Sequence, residues 1–523
     1  MKHLPLILIL SGIIFAFTTR IIIPWNDTFT PFGIVLNTPD AYCMLRYADA
    51  FPNIIKWDNF SNYPIGSVAL KSIWPVIVAV IARLFSTSNL IVLMVLPPIL
   101  FFGTLCFVYQ IAKRLFSELI AAGAVFILCL LPGEILNRTM LGAGDYHCWE
   151  IFLVTLIMML IFTAINNHGL TRWSYLFPIL AWMTVYWYSW AGALMLPFIF
   201  VAALFAFLWL AIYTNWKKRT GLLLAFLGLI LLAWRIFPGT QNIFAVDFTR
   251  TIEEAYPLLW TQGHFDISVF MAYFNVTFYI VLIGLGWLIY KVLKYHKLQD
   301  IIFASWTFVT FAMMIASRRF DYYFAVNAAI LVSYVSITII QHIGSKQIIR
   351  IAIAIAIVIC LPLARQSIMV AQDSYGRPSV AWLNTTAWLL GHSENEAAYY
   401  TNGLPAYGVF SWWDYGYWIT GIGHQAAYAN NGSGDSNMAS SFLLSQNMNR
   451  ALGRLQEKNY RYIVIDSDMF ELPALYSLRL EKTFMYLLYN EVVPGAKLVN
   501  WSGNVKTFEI VNGTYTVLQS DIF

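Results

Sequence analysis

Charged residues are scarce in this chain. Of its 523 residues only 11% are Asp, Glu, Lys or Arg, 59% are hydrophobic, and the mean hydropathy is +0.65. Soluble domains carry about a quarter charged residues, so this composition excludes an ordinary soluble protein. The net charge of +5 is small, and the basic residues cluster in short loops between apolar runs. This placement indicates membrane topology and gives no support to nucleic-acid binding.

Cysteine is also sparse, and repeats and low-complexity tracts are missing. The five cysteines form neither a CxxC pair nor a zinc-binding spacing. We expect Cys106, Cys129 and Cys360 to be inert because they lie in apolar runs. Cys43 and Cys148 stand near acidic motifs, which leaves a disulfide between them open.

Long apolar runs, in contrast, are abundant. A run of about 20 apolar residues is long enough to cross a bilayer, and the sequence predicts about eleven such spans. No convincing cleavage site follows Leu4–Phe17, so we predict a retained first span and not a signal peptide. The approximate limits of the spans are 4–20, 89–112, 117–133, 150–166, 171–187, 190–213, 220–236, 270–292, 301–317, 322–343 and 348–365.

The orientation follows from the basic loops. If the spans alternate, these loops fall on one side of the membrane, which the positive-inside rule makes cytoplasmic. Their basic residues are Lys113-Arg114, Arg172, Lys217-Lys218-Arg219, Lys291, Lys294, Lys297, Lys346 and Arg350. The regions 21–88, 134–149, 237–269 and everything after about 366 are then on the outer face.

The C-terminal part of the chain changes character. Arg461–Asp466 has the pattern of a buried strand, and 508–517 that of a hairpin turning at Asn512-Gly513. We therefore predict a transmembrane domain over 1–387, with long external loops at about 21–88 and 237–269, and an extracytoplasmic mixed α/β domain over 388–523.

Three acidic sites fall on the predicted outer face. They contain Asp40, Asp145 with His147, and Glu254. Each has an ordinary explanation: a turn, a helix start that Glu150 would cap, or a solvated pair. Together they suit a metal ion that neutralises their repulsion. Oxygen ligands favour Mg²⁺ or Mn²⁺, and one imidazole shifts the preference towards Mn²⁺.

Two further features are unusual. Arg318 and Arg319 lie at the outer end of the ninth span against the positive-inside trend; either interfacial snorkelling or a phosphate-binding role explains them. The string Trp412-Trp413-Asp414-Tyr415-Gly416 sets an acceptor beside two indole faces. It suits a small group with one hydroxyl and one apolar side, although a buried aromatic cluster with Asp414 as a helix cap remains the alternative.

The tryptophan string resembles the signature of the catalytic subunits of oligosaccharyltransferases. Other stretches resemble further motifs of that family in the same order, namely Asp40-Ala41-Tyr42 with Arg46, Asn62-Tyr63-Pro64-Ile65-Gly66, Asp145-Tyr146-His147, Thr251-Ile252-Glu253-Glu254 and Arg319-Phe320. The chain is similar to the prokaryotic single-subunit enzymes PglB and AglB. This resemblance implies a polytopic α-helical membrane protein of the GT-C type, with about 11–13 transmembrane helices and a C-terminal mixed α/β extracytoplasmic domain.

The resemblance also implies an activity and its site. A glycan would pass from a polyprenyl-(pyro)phosphate carrier to Asn in an Asn-x-Ser/Thr acceptor polypeptide, at the extracytoplasmic face of a prokaryotic cell membrane. The resemblance implies a divalent metal, Mn²⁺ or Mg²⁺, held by Asp40, Asp145, His147 and Glu254, and it implies that Asp40, Glu254 and Asp145 are catalytic. Arg319 would bind the lipid-linked phosphate. The Ser or Thr of the acceptor would be bound by Trp412, Trp413, Asp414, Met469 and Leu472.

Other readings of the same residues are not excluded by the sequence. Another GT-C transferase could move a lipid-phosphate sugar to a hydroxyl or to a lipid, and it would share the outer acids but not the tryptophan string. A transporter would place its acids at mid-membrane in paired halves. A receptor for unfolded chains would use the aromatic wall without catalysis.

Overall fold

The structure is a computed structural model. It describes residues 3–69, 72–167, 173–189, 195–211, 258–261, 264–265, 267–342, 360–373, 376–430, 436–471 and 480–511. Packing divides the chain into two compact units, each made of two separate stretches. The first contains Met1–Asn26 and Val95–Tyr375, and the second contains Asp27–Met94 and Gly376–Phe523. The predicted boundary at 387–388 stays a prediction.

Apolar helices dominate the described part of the chain. Six are long and apolar enough to cross a membrane: Leu4–Thr28, Asn89–Leu115, His147–Asn166, Thr277–Tyr295, Leu298–Ala316 and Arg318–Gln341. Four shorter apolar helices are Trp74–Leu84, Glu118–Leu130, Leu176–Trp187 and Met195–Leu210. These helices include nine of the predicted spans, and the prediction of several long apolar helices is confirmed. The predicted spans 220–236 and, in large part, 348–365 lie outside the described residues.

Close helix packing organises the first unit. Glu118–Leu130 starts at Ser117, whose hydroxyl accepts a hydrogen bond from the Ile120 amide. A Cβ on Gly123 would collide with Ser333, and the Ser333 hydroxyl donates to the Ile120 carbonyl at 2.7 Å. Glycine therefore lets Glu118–Leu130 lie directly against Asp321–His342, a helix much later in the chain. Short helices at Glu134–Asn137 and Ser268–Phe274 and a 3-10 turn at Arg318–Phe320 connect the longer ones.

The second unit is built on a five-stranded mixed sheet. Its strand order is Ala496–Ser502, Val505–Ile510, Tyr460–Asp466, Gly408–Phe410 and Ala426–Ala427. The first two pairings are antiparallel and the last two are parallel. Tyr460–Asp466 is buried almost throughout, as a central strand with an apolar run should be. The predicted strand and the mixed α/β class are confirmed, while the predicted turn at Asn512-Gly513 lies outside the described residues.

Helices pack on the sheet of the second unit, and two further helices of this unit come from the region 21–88. Val380–Gly391 packs against the two antiparallel strands, and Met448–Glu457 packs against the central strand. Pro39–Asp49 packs against both Trp74–Leu84 and Gly416–Gly421. Most of the region 21–88, which the sequence predicts to be external, therefore belongs to the same unit as the C-terminal sheet. The remaining helices and turns of the unit are Glu396–Thr401, Trp413–Tyr415, Ser436–Leu443, Ser467–Glu471, Leu480–Lys482 and Phe484–Tyr489.

Candidate functional site

The tryptophan string lies where a strand of the second unit ends. Gly408–Phe410 runs into Ser411, whose hydroxyl donates to the Val464 carbonyl of the central strand at 2.8 Å. A 3-10 turn over Trp413–Tyr415 follows and leads into the helix Gly416–Gly421. A Cβ on Gly416 would come within 2.7 Å of the Asn430 side chain, so glycine is required because the chain at Ala429 and Asn430 lies directly against the start of this helix.

The two tryptophans have different hydrogen-bonding states. Trp412 Nε1 donates to Asp414 Oδ2 at 3.0 Å and so fixes the carboxylate. Trp413 is buried, and its Nε1 makes no hydrogen bond within the described residues. The two rings are 6.2 Å apart at 41°. The arrangement presents an oriented carboxylate and an indole N–H beside aromatic faces, which are the groups that a hydroxyl with a neighbouring methyl requires.

The other aromatics of the string have a structural role. Tyr415 stacks on Trp382 with ring centroids 4.4 Å apart, and Trp418 meets Trp382 edge-on at 5.4 Å. The predicted alternative of a buried aromatic cluster thus describes Tyr415 and Trp418. Asp414 lies inside the 3-10 turn, and the N-cap of that turn is Trp412.

Met469 emerges near the same end of the sheet. It is buried in the 3-10 turn Ser467–Glu471, directly after the central strand. The strand that leads to Trp412 is the parallel neighbour of that central strand. Carboxyl ends of parallel neighbours meet at one edge of a sheet, the usual place for a binding site in α/β folds. Leu472, the other predicted residue of this element, lies outside the described residues.

Asp40 belongs to the second unit as well. It lies half-buried in the first turn of Pro39–Asp49, and Thr38 is the N-cap of that helix, with its hydroxyl accepting from the Ala41 amide. Burial raises the pKa of Tyr417 well above its ordinary value, and nearby Cys43 and Asp40 raise it further. Tyr417 follows the tryptophan string, so one unit brings Asp40 and that string into the same neighbourhood.

Arg46, quoted as part of the first acidic motif, is a buried anchor. Its guanidinium makes a 3.0 Å ion pair with Asp58 and donates to Asn402 and to the Tyr399 carbonyl. It also lies 4.2 Å from the Tyr399 ring centre and 4.7 Å from that of Phe60. These contacts join the segment around Arg46 and Asp58 to the C-terminal part of the second unit.

Asp145 in the first unit is held by a cation that sequence reasoning missed. Its Oδ2 pairs with Arg138 at 2.8 Å, and Arg138 pairs through Nε with Glu134, also at 2.8 Å. Its Oδ1 accepts the backbone N–H of His147 at 2.6 Å. Glu134 and Arg138 are four residues apart and come shortly before Asp145 in the sequence. This spacing could have indicated the Glu134–Arg138 ion pair, because residues four apart meet on a helical turn.

His147 is buried and is held by partners on other turns. Its Nδ1 lies 2.9 Å from Glu150 Oε2 and 3.0 Å from the hydroxyl of Tyr322. The same Glu150 oxygen accepts the hydroxyls of Tyr322 and Tyr323, each at 3.1 Å. Glu150 is 0% exposed. Its carboxylate is therefore engaged by side chains, which goes beyond the helix-capping role that its position suggested.

Arg319 lies in the 3-10 turn that precedes Asp321–His342. Arg318 is buried and Arg319 is half-buried. The charge of Arg319 acts electrostatically on both His147 and Glu150. The first unit thus brings together the predicted phosphate-binding arginine and the predicted metal-binding histidine.

The predicted metal site is not assembled within the described residues. No group of three or more His, Cys, Asp or Glu side chains there is placed to hold a metal ion. Glu254, with the whole stretch 251–254, lies outside the described residues. The four-residue ligand set of Asp40, Asp145, His147 and Glu254 therefore stays a prediction.

Comparison with known proteins identifies the fold. The family described as the AglB core domain matches residues 378–470, which include the tryptophan string. A solved structure of the archaeal oligosaccharyltransferase AglB from Archaeoglobus fulgidus, in complex with an inhibitory peptide and a dolichol-phosphate, aligns with a TM-score of 0.75. The alignment has 22% identity and covers 90% of this chain and 70% of that one. Residues 378–470 are similar to the AglB core domain, and the chain has the fold of that AglB structure. The expected fold of long apolar helices with a C-terminal mixed α/β domain is confirmed.

Curated relatives agree with the structural match. The dolichyl-phosphooligosaccharide-protein glycotransferase 3 of Archaeoglobus fulgidus is 25% identical, over 90% of this chain and 70% of the relative. The dolichyl-monophosphooligosaccharide–protein glycotransferase AglB of Haloferax volcanii is 24% identical over 33% of this chain and 21% of its own length. A solved structure of the Archaeoglobus fulgidus oligosaccharyltransferase in complex with Zn and sulfate aligns with a TM-score of 0.68 at 20% identity, over 92% of this chain and 71% of that one. The resemblance to oligosaccharyltransferase catalytic subunits is confirmed.

Proposed function

We propose that this protein is an oligosaccharyltransferase that moves a glycan from a polyprenyl-(pyro)phosphate carrier to Asn in Asn-x-Ser/Thr segments of an acceptor polypeptide. The observation that carries the proposal is the Asp414 carboxylate, held by Trp412, next in sequence to Trp413 with its buried N–H, in the stretch that matches the AglB core domain. The protein acts as a single-subunit enzyme in a prokaryotic cell membrane, with its site on the extracytoplasmic face.

The acceptor is recognised through the residue two positions after its Asn. Asp414 accepts a hydrogen bond from the Ser or Thr hydroxyl, and Trp413 donates a hydrogen bond from its N–H to the hydroxyl oxygen. The methyl group of Thr lies against an indole face. Met469, which leaves the neighbouring strand at the same sheet edge, and Leu472 complete the apolar side of this site. Two hydrogen bonds at a fixed place orient the acceptor Asn for reaction.

The donor types of two residues of the first unit, Asp145 and His147, suit a divalent metal ion. A histidine that ligates a metal generally has its other ring nitrogen bonded to a carboxylate, and His147 has this contact with Glu150. Asp145 supplies oxygen, the ligand that Mn²⁺ and Mg²⁺ prefer. Asp145, His147, Asp40 and Glu254 would hold the ion. When bound, it supplies positive charge that stabilises the departing phosphate.

The remaining steps fall to the chain's own groups. An amide nitrogen is a poor nucleophile because its lone pair is delocalised into the carbonyl. Asp40 and Glu254 accept hydrogen bonds from the two N–H groups of the acceptor amide and favour its rotation out of conjugation. Arg319 binds the lipid-linked phosphate, for which a guanidinium is well shaped.

Transfer to a labelled peptide tests the proposal. Purified protein is mixed with crude lipid-linked oligosaccharide and a peptide containing Asn-x-Thr, with and without Mn²⁺. We expect a glycan-sized mass increase only with the metal, and its loss in Asp40→Ala. A matched peptide with Gln in place of Asn is the control. Modification of this control peptide would show transfer to a hydroxyl, the activity of another GT-C enzyme, and would contradict the proposal.

A further inference from the structure

Glu150 is the centre of a buried cluster that the proposed chemistry does not use directly. One oxygen of its carboxylate, Oε2, faces His147 Nδ1 and the hydroxyls of Tyr322 and Tyr323 at 2.9–3.1 Å. The hydroxyl of Tyr186 lies 2.8 Å from that of Tyr323 and closes the cluster. These five side chains come from three helices of the first unit: His147–Asn166, Leu176–Trp187 and Asp321–His342.

A buried cluster of this kind adds little to the free energy of folding. Burying a carboxylate costs several kcal/mol, and well-packed apolar residues of the same volume are often as stable or more stable. Glu150 is 0% exposed and so are His147 and Tyr322. Packing alone would favour apolar residues at these positions. The geometry that the hydrogen bonds impose therefore explains the cluster better than stability does.

The hydrogen bonds select one tautomer of the histidine. Glu150 Oε2 accepts the hydroxyls of both Tyr322 and Tyr323, so the third group that faces it, His147 Nδ1, acts as a donor. His147 then carries its proton on Nδ1, which lies within reach of both Glu150 and the oxygen of Tyr322. The lone pair of the neutral ring is left on Nε2. Two anchors on Nδ1 also fix the rotation of the ring.

We propose that Glu150, with Tyr322 and Tyr323, is a positioning unit that fixes the tautomer and orientation of His147 so that Nε2 ligates the divalent metal. The inference rests on the proposed function, in which His147 is a metal ligand. Glu150 itself does not touch the ion. Because Tyr322 follows Arg319 by three residues, the same hydrogen bonds hold the turn with the phosphate-binding arginine at a fixed place relative to His147.

Metal binding gives a test that does not depend on transfer. The purified full chain is titrated with Mn²⁺ and followed by electron paramagnetic resonance, with pulsed spectra to detect nitrogen coupling from a bound imidazole. Wild type should show this coupling. In Glu150→Leu the coupling should disappear and the Mn²⁺ dissociation constant should rise about tenfold to a hundredfold. Glu150→Gln keeps an acceptor oxygen and should fall between the two.

Two further variants make the result interpretable. Thr155→Val removes a buried hydroxyl from the same helix, one that donates only to the Ile151 carbonyl among described partners, and should bind Mn²⁺ like wild type. If Glu150→Leu does not fold, Tyr322→Phe with Tyr323→Phe removes the two hydroxyl anchors and should still weaken Mn²⁺ binding and the nitrogen coupling.

The outcomes separate this inference from the proposed function. The positioning role is overturned if folded Glu150→Leu, or the double tyrosine variant, keeps the Mn²⁺ affinity and the nitrogen coupling of wild type. It is also overturned if wild type shows no nitrogen coupling, even when wild type transfers glycan. A coupling that depends on Glu150 in a protein that transfers no glycan supports the positioning role and refutes the proposed function.

Discussion

Gly421 lies directly against Tyr42: a Cβ atom added to Gly421 would be 2.6 Å from the Tyr42 Cβ. The backbone of Gly416–Gly421 therefore packs on the side chains of Pro39–Asp49. Asp40 lies in the first turn of Pro39–Asp49, and the tryptophan string leads into Gly416–Gly421. One close contact thus sets the distance between the carboxylate that would hold the acceptor Asn and the residues that would hold its Ser or Thr.

The substitution Gly421→Ala should separate these two helices slightly. Overpacking of this kind typically costs about 1–3 kcal/mol, and a misplacement near 1 Å can lower catalysis about a hundredfold. We expect kcat/KM for an Asn-x-Thr peptide to fall at least roughly tenfold. Gly453→Ala is the matched control, because nothing lies within 4 Å of a Cβ there. Equal rates for both variants would show that the contact does not govern the site.

Removal of Arg138 should destabilise the first unit. Arg138→Met leaves Asp145 and Glu134 buried without their cation, and breaking such a pair costs about 3–5 kcal/mol. We expect a clear fall in the thermal unfolding midpoint in detergent and loss of transfer. Lys113→Met breaks an exposed pair with Glu118, 3.8 Å apart, and should change the midpoint little, because exposed pairs contribute about 0–1 kcal/mol. Equal effects of the two substitutions would contradict the structural role of Arg138.

Local sequence patterns predicted the elements but not their partners. Apolar length identified the spans, and the apolar run at Arg461–Asp466 identified the central strand, because both signals are contained in neighbouring residues. The contact of Tyr322 with His147 joins residues 175 positions apart. No periodicity carries information on such a pairing, so the cluster around Glu150 was not predictable from the single sequence.

The candidate site shows the same division. Trp412, Trp413 and Asp414 were predicted from adjacent residue types, and the structure gives each a distinct hydrogen-bonding state. The role of Arg46 was not predictable, since its ion pair with Asp58 and its stacking on Tyr399 depend on the fold of the second unit. The roles assigned to the metal ligands and to Arg319 stay predictions.

Trp413→Phe should weaken acceptor binding with little loss of apolar contact. The change removes the indole N–H, and one hydrogen bond contributes about 0.5–1.5 kcal/mol, so we expect KM for an Asn-x-Thr peptide to rise about twofold to tenfold. Trp418→Phe is the control, because Trp418 Nε1 is likewise buried without an acceptor among described residues but its ring packs on Trp382. A KM increase shared by both variants would indicate a general packing defect and reject the assignment of Trp413.

His424 should make the second unit sensitive to acid. Its ring stacks on Tyr399 with centroids 4.0 Å apart. Burial, together with the smaller effect of the positive charge of Arg46, lowers the pKa of His424 to about 4. The unfolded chain has a histidine pKa of about 6.5, so between pH 6.5 and about 4 the unfolded state binds a proton that the folded state does not. Stability contributed by His424 is therefore complete above this window and is lost as the pH falls through it.

The pH dependence of unfolding in detergent measures this contribution. His424→Phe keeps an aromatic ring against Tyr399 and removes the titrating group. Because His424 has a φ of +50°, Phe should lower the unfolding midpoint by a similar amount at every pH, so the informative quantity is the difference between wild type and variant as a function of pH. We expect this difference to be constant above pH 7 and to shrink between pH 6.5 and 4, since only wild type loses the histidine contribution there. Parallel midpoint curves across this range would show that burial of His424 does not make the unit acid-sensitive.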